Sequence, residues 1–295
     1  MIYLYDDKNG WGKTISSYLK GRGCKLFHRA EEIVEAGYVF MHASHLPLEE
    51  REKDKKIMAE LDKRKGLKLI PSAREVVLYD NKVAQYQEFG NWMPETLLAE
   101  DEQTALSFVD RLGFPFVSKS KQGAGASNAR LIENREQAEK EVKAVFSDTG
   151  LDCYANGVQK DYELWQKWIP GLEINWRIVV LAHKYFIITK RWNEENSRFV
   201  NDNGKIKTLS HIAVEVKEIV DLAGEFAEAN RFKWVAVDII KEPKTGRLYV
   251  LETSAGWPMW WFGNGMIFDK GLEPVEYARD VLCLAGDMIL KGDFD

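Results

Sequence analysis

The sequence predicts an α/β fold built of several lobes, and three observations lead there. Strands and helices alternate through the N-terminal segment, which implies a parallel sheet. Paired strand runs joined by short turns recur further along, as antiparallel hairpins require. A length of 295 residues is generous for one compact unit and suggests two or three small lobes sharing a continuous core.

The N-terminal lobe is expected over residues 1–73. Ile2–Tyr5 reads as a short strand, Trp11–Lys20 as an amphipathic helix and Tyr38–His42 as a buried strand. Pro47 opens a helical stretch through Lys65, and Leu67–Ile70 is a strand stopped by Pro71-Ser72. The charges from Glu49 to Lys65 alternate in sign, so this stretch reads as a solvated helix face. A second lobe is expected over 74–166. In it Asp80-Asn81-Lys82 begins a helix, and Phe116–Lys119 and Ala129–Ile132 are strands. Asn134 with Gln137 three residues on has the form of a capping box. The third lobe, 167–295, is rich in strands.

Composition narrows the functional classes. With 45% apolar and 29% charged residues, the chain should fold without disulfides or metals. Its three cysteines, Cys24, Cys153 and Cys283, are far apart and form no pairing or metal-binding pattern, which suits a reducing cytosol. Met1–Tyr5 is followed at once by Asp6, Asp7 and Lys8, unlike a secretory signal. No apolar run approaches the ~20 residues that span a bilayer. A cytoplasmic location without membrane partners is therefore expected. The net charge of −5 argues against binding duplex nucleic acid, yet leaves room for a nucleotide, whose phosphates need only a few local cations.

Lys119 to Ser127 contains Gly123-x-Gly125 among small residues. No Gly-Lys-Ser/Thr opens a helix here, and the glycines are followed by a strand, so neither a Walker loop nor a Rossmann turn fits. The stretch is instead a flap between two strands. Its backbone N–H groups can approach phosphate oxygens closely, with Lys119 and Lys121 supplying charge and Ser127 a hydroxyl. A plain glycine hairpin is the alternative.

Two further hairpins carry polar chemistry. Trp234–Lys241 and Leu248–Thr253 flank a turn centred near Thr245, which sets Asp238 opposite Glu252, with Ser254 on the same face. Opposed carboxylates repel, and with a nucleotide nearby they suit Mg²⁺; otherwise one acid faces solvent or pairs with a basic side chain. Around a turn between Ala182 and His183, Glu173, Asn175, Arg177 and Lys190 share one face. Ile174, Trp176, Ile178 and Val180 share the other, expected in the core. One carboxylate among cations beside an apolar wall suits a ribose and phosphates, though an amphipathic surface hairpin would look the same.

Taken in order from about Met1 to Gly256, these pieces resemble the ATP-grasp superfamily. The resemblance is strongest to its peptide-forming branch of ribosomal-protein glutamate ligases, glutathione synthetase and D-alanine–D-alanine ligase. Asp80-Asn81-Lys82 is similar to the family's helix-opening lysine segment, and Phe116–Lys119 with Gly123-Ala124-Gly125 to its second lysine strand and phosphate flap. Trp165-Gln166-Lys167-Trp168-Ile169-Pro170 resembles the hinge that pairs with adenine. Asn175-Trp176-Arg177, Thr189-Lys190-Arg191 and Phe199 to Gly204, with Asn201, resemble the central arginine strand and substrate loop. Val237-Asp238-Ile239 and Leu251-Glu252-Thr253-Ser254 resemble the paired metal-binding strands. Ser254 stands where the family usually has Asn, and Lys167 where an acidic hinge residue is common.

The resemblance implies three lobes with MgATP clamped between the middle and last. It implies a ligase that activates a carboxylate as an acylphosphate, which an amine then attacks, with Arg177, Lys190, Arg191 and Asn201 as catalytic residues. The expected partners are small-molecule or peptide carboxylates and amines, and a homodimer is compatible with the sequence. A kinase that stops at a phosphorylated product, or a nucleotide-binding regulatory module, would carry much the same motifs. The run Trp257–Gly265 has no counterpart in the family; it fits a core, an interface or a platform for a ring-bearing acceptor.

Overall fold

The computed structural model describes residues 1–5, 17–42, 48–123, 129–153, 157–193, 198–201, 214–256, 265–268, 274–278 and 281–294, some of them by backbone alone. The helix expected over Trp11–Lys20 and the aromatic run from Trp257 fall largely outside these residues. Among the described residues, no helix is long and apolar enough to cross a membrane.

The N-terminal sheet is parallel, as the alternation of elements requires. Its strands β1 (Ile2–Tyr5), β2 (Cys24–Phe27), β3 (Gly37–Phe40) and β4 (Leu67–Ile70) lie in the order β2-β1-β3-β4. Helix α1 (Leu48–Leu61) connects β3 to β4. It corrects the reading of a wholly solvated face, because Arg51 and Asp54 are buried beside Met58 and Leu61. Helix α2 (Ala73–Leu78) begins in a full capping box. Ser72 Oγ accepts from Glu75 N at 3.2 Å, and Ser72 N donates to Glu75 Oε2 at 2.6 Å. The other Glu75 oxygen takes the amides of Lys233 and Trp234 at 2.8 and 2.9 Å, tying α2 to the C-terminal sheet.

After α3 (Lys82–Phe89) comes an antiparallel sheet in the order β5-β10-β6-β7. Its strands are β5 (Thr96–Ala99), β6 (Phe116–Lys119), β7 (Ala129–Ile132) and β10 (Glu163–Lys167). Helices α4 (Glu102–Leu112) and α5 (Arg135–Val145) cover one face, and the small pair β8 (Leu151–Cys153) and β9 (Gly157–Gln159) follows. Phe116, Ile132 and Trp165 pack with Ala105, Val109, Ala138 and Val142 in a separate core. The period of two then turns Val117, Lys119, Leu131 and Gln166 to the other face. Asn134 caps α5 through Gln137 N at 3.0 Å, but Gln137 Oε1 accepts from Glu133 N at 2.8 Å. The expected box is thus displaced by one residue on its return side.

A polar network lies within this core. Arg130 bonds Glu141 through Nε and Nη2 at 2.9 and 3.0 Å and also reaches Gln159 Oε1 at 2.8 Å. Gln159 Nε2 donates to Glu163 Oε2 at 2.8 Å. Burial, then the neighbouring Glu141, pushes the Glu163 carboxyl up to about 8 against the pull of Arg130.

The C-terminal sheet runs β15-β14-β11-β12-β16-β17, with β13 also on β12. Its strands are β11 (Ile174–Leu181), β12 (Lys184–Asn193), β13 (Arg198–Asn201), β14 (Trp234–Lys241), β15 (Leu248–Ser254), β16 (Gly265–Phe268) and β17 (Pro274–Ala278). One face, including Ile178, Val180, Val237 and Ile239, packs on α6 (Val214–Ala229) together with Leu78, Phe89 and Met93. The other face begins apolar: Val179, Leu181, Trp234 and Ala236 join the N-terminal lobe and α7 (Val281–Lys291) in one core. Further along the same face, toward Arg177 and Asp238, it becomes polar. That change of polarity along one sheet face marks where the polar strip begins.

Candidate active site

The two later hairpins have the registers read from the sequence. Asn175 pairs with Lys190 around the turn at Ala182-His183, and Asp238 stands opposite Glu252 with Ser254 opposite Ala236. A register shift beyond Asp238, where Ile239 meets Val250, brings the two acids level. β11 lies beside β14, so that Arg177 pairs with Asp238.

This neighbour corrects one expectation. The carboxylates do not face each other unopposed, because protein cations already meet them. Arg177 clasps Asp238 side-on, Nε to Oδ1 and Nη2 to Oδ2, both at 2.7 Å. The same Nη2 lies 3.9 Å from Glu252 Oε1, and Lys82 Nζ lies 3.6 Å from Glu252 Oε2. Burial works against the Arg177 charge, but Asp238 and then Glu252 outweigh it and raise its pKa. Glu252 remains the open acid, with about a third of its side chain exposed (34%) against 3% for Asp238.

Helix α3 supplies the opposite wall. Asn81 caps it through Ala84 N at 3.2 Å, which places Lys82 in its first turn. One turn on, on the same helix face, buried Gln85 clamps β15. Its Nε2 donates to Thr253 O at 2.9 Å and its Oε1 accepts from Thr253 N at 3.0 Å. The strand end that carries Glu252 and Ser254 is therefore fixed against Lys82.

The base of the flap is fixed to the same helix. Lys82 Nζ donates to Gly123 O at 2.9 Å, and Lys82 N to Lys121 O at 2.9 Å. Gly123 N donates to Asp80 Oδ1 at 2.7 Å, and Lys121 N to Tyr162 Oη at 2.6 Å. Asp80 has φ 48°, a left-handed conformation that Asp tolerates better than most residues and that recurs at functional sites. β6 and β7 bracket the flap with Lys119 paired to Ala129, as a hairpin flap requires.

Lys119 Nζ donates to Gln166 Oε1 at 2.6 Å, and Gln166 Nε2 to Thr96 Oγ1 at 2.8 Å. Burial lowers the Lys119 pKa to about 8, opposed by Glu252 and assisted by Lys82. That Glu252, Asp238 and Lys82 all act on Lys119 sets the flap lysine and the carboxylate pair in one electrostatic neighbourhood. The residues after Gln166 that the sequence assigned to a hinge follow directly: Lys167 is exposed and donates its amide to Glu95 O at 2.8 Å, Trp168 is half-buried and Ile169 buried. Glu173 is exposed just before β11.

Not every expected residue can be placed. Gly125 and Ser127 lie outside the described residues, and Lys190, Arg191 and Asn201 are described by backbone alone, Lys190 paired with Asn201 and Arg191 with Ile174. Two residues emerge that had no assigned role. Asn175 is 4% exposed, and its Oδ1 has no hydrogen-bond partner on the face that carries Arg177. Its place in the polar strip was the available signal. Asp80 was legible only as the start of a helix segment, yet it holds the flap.

No protein-family model matches the sequence, and no curated protein matches it. Solved structures do. A RimK-domain ATP-grasp protein from Sphaerobacter thermophilus is 16% identical, with 98% of each chain covered and a TM-score of 0.57. The ATP-grasp ligase PsnB, complexed with minimal precursor, Mg and ADP, is 15% identical over 98% of each chain, at a TM-score of 0.59. D-alanine–D-alanine ligase from Bacillus anthracis is 14% identical, covering 99% of this chain and 96% of its own, at 0.59. At these identities the likeness is one of fold, and it runs nearly the whole length of the chain.

Proposed function

We propose that this chain, which has the ATP-grasp fold, is an ADP-forming ligase that joins a carboxylate to an amine. The observation that carries this is the position of Lys82. Its ammonium reaches the flap at Gly123 O (2.9 Å) and the open carboxylate Glu252 (3.6 Å) at once. Two features read separately in the sequence therefore meet at one ammonium, where cations and acids can act on the same phosphates.

In this reading, residues 1–73, 74–166 and 167–295 form the three lobes, and the nucleotide lies between the second and third. Lys82, Lys119 and Lys121, with Gly123, Gly125 and Ser127, bind the phosphates. Gln166, Lys167, Trp168 and Ile169 form the adenine hinge, while Glu173 and the unpartnered Asn175 oxygen receive ribose hydroxyls. The hard oxygens of Asp238, Glu252 and Ser254 fit Mg²⁺. Glu252 offers its exposed carboxylate, and Asp238 the lone pairs that Arg177 leaves unused. Mg²⁺ offsets phosphate charge when bound. Transfer of the γ-phosphoryl group to a substrate carboxylate oxygen forms an acylphosphate and ADP. The amine nitrogen then bonds to the carbonyl carbon, the carbon–oxygen bond to phosphate breaks, and the amine loses a proton. Arg177, Lys190, Arg191 and Asn201 stabilise the charge that moves.

Incubation of the chain with MgATP and paired acids and amines tests this. ADP release that requires both co-substrates supports the ligase. Release with one co-substrate alone indicates a kinase, and tight MgATP binding without release a regulatory module.

Lys119 yields a sharper expectation. Phosphate should raise its pKa above the free value of about 8, so MgATP affinity is flat below pH 8 and falls as pH rises beyond it. Binding near pH 8 takes up a proton, which calorimetry in buffers of different ionisation enthalpy will detect. Lys119→Ala should abolish that uptake and weaken MgATP binding by about 1.5–3 kcal/mol.

A further inference from the structure

Arg51 is the most deeply buried cation among the described residues for which the proposed reaction has no role: its side chain is 0% exposed. It sits in the first turns of α1, fed from the carboxyl end of β3, and its partner Asp80 follows the carboxyl end of the adjacent strand β4 through α2. Ligands of parallel α/β sheets gather at this end of the strands.

The guanidinium is only partly satisfied. Nη1 bonds Asp80 Oδ2, while Nε and Nη2 are buried without a hydrogen-bond partner. Asp80 has little more to give, since its other oxygen takes Gly123 N at 2.7 Å with Lys82 Nζ 3.8 Å away. Leaving two buried donors of a charged group unpaired is costly, and such groups in native proteins call for an explanation. Nε and Nη2 together form the side-on edge of the guanidinium, whose spacing matches the two oxygens of a carboxylate. Arg177 shows the match within this chain, using the same edge on Asp238 at 2.7 Å twice. On Arg177 that edge is occupied; on Arg51 it is buried with no hydrogen-bond partner. The two are electrostatic neighbours of one side chain, because Arg51, Arg177, Asp80 and Glu252 all act on buried Tyr79. The Tyr79 ring in turn leaves no room for a Cβ on Gly256, just beyond β15.

We propose that the Nε–Nη2 edge of Arg51 receives a carboxylate of the substrate, making Arg51 a specificity-determining residue that anchors the acid from the N-terminal lobe. This rests on the ligase reading for the word substrate, but the site itself is defined by the unpartnered edge. A carboxylate fits better than a phosphate, because the phosphate-binding lysines lie on α3 and β6 and Arg51 is held by a single anion in a planar fork. Lys55, one helical turn on and paired with Glu52 at 3.5 Å, adds positive charge nearby. As the edge is sealed from solvent here, the ligand reaches it on a local opening, and its apparent affinity is reduced by the population of the open form.

The test is a titration of the ¹⁵N-labelled full chain followed at the Arg51 Nε–H resonance, assigned by its loss in Arg51→Lys. Sodium acetate should move the resonance saturably, while acetamide and inorganic phosphate leave it in place. No movement with acetate, or movement with phosphate alone, overturns the proposal. If Arg51→Lys does not fold, wild-type crystals soaked in sodium acetate decide: planar carboxylate density beside the Nε–Nη2 edge supports the site, and its absence there refutes it. MgATP calorimetry run in parallel separates the two readings. Arg51→Lys should bind MgATP within a factor of about three of the wild type. A chain that binds no MgATP refutes the ligase reading, while the acetate titration still judges Arg51.

Discussion

Asp238→Asn is expected to lower folding stability by about 3–5 kcal/mol and to abolish ADP release, the stability loss being the larger surprise for a residue expected to bind metal. The reason lies in Arg177. Its guanidinium is largely buried, and its side-on edge is spent entirely on Asp238, with both bonds at 2.7 Å. An amide at 238 removes the charge and turns an N–H₂ group toward N–H donors, leaving a buried cation whose nearest remaining anion, Glu252, is 3.9 Å away. Breaking one side of a buried pair costs far more than the pair contributes, because the surviving charge is left uncompensated. Urea denaturation of the nucleotide-free chain measures this directly. A variant as stable as the wild type but inactive would mean that Asp238 serves the metal alone and that Arg177 is indifferent to it.

The sequence carried the strand registers well, because a period of two and a countable turn leave little freedom. The Asn175–Lys190 pairing comes from counting outward from a turn, whereas Asp238 meets Glu252 only because the register shifts between Ile239 and Asp238. It also carried the two strands on either side of the glycine-rich stretch, which pair antiparallel. What it could not carry was adjacency between elements distant along the chain. That β11 lies beside β14, so Arg177 neutralises Asp238, depends on sheet order and not on local pattern. The Gln85–Thr253 clamp joins residues 168 positions apart and leaves no local trace. The charge alternation of α1 misled for a related reason. A helix with charges on every face must bury some of them when both sides are packed, and pattern alone does not say which. Arg51 and Asp54 were therefore hidden among residues that do face solvent.

Glu252→Gln should lose turnover as Asp238→Asn does but differ from it in stability, and that contrast separates the acid that holds Arg177 from the one that does not. Glu252 is about one-third exposed (34%), and its cations stand 3.6 and 3.9 Å away, beyond hydrogen-bonding distance. Ion pairs of this length and exposure contribute little, so the nucleotide-free chain should change in stability by less than about 1 kcal/mol. Arg177 keeps Asp238, and Lys82 keeps Gly123 O at 2.9 Å, so neither cation is stranded. Turnover is another matter. If Glu252 is the open ligand that joins metal to phosphates, the neutral amide removes charge stabilisation where the phosphoryl group moves, and ADP release should fall by at least about a hundredfold. Ser254→Asn gives an independent check at the same strand end: a longer side chain bearing an amide oxygen should hold or tighten Mg²⁺ if the hydroxyl is a ligand. The measurements are urea denaturation without nucleotide and ADP release with saturating Mg²⁺, made on Glu252→Gln and Asp238→Asn together. Strong destabilisation of Glu252→Gln with activity retained would make Glu252 a structural acid and remove the metal from this hairpin.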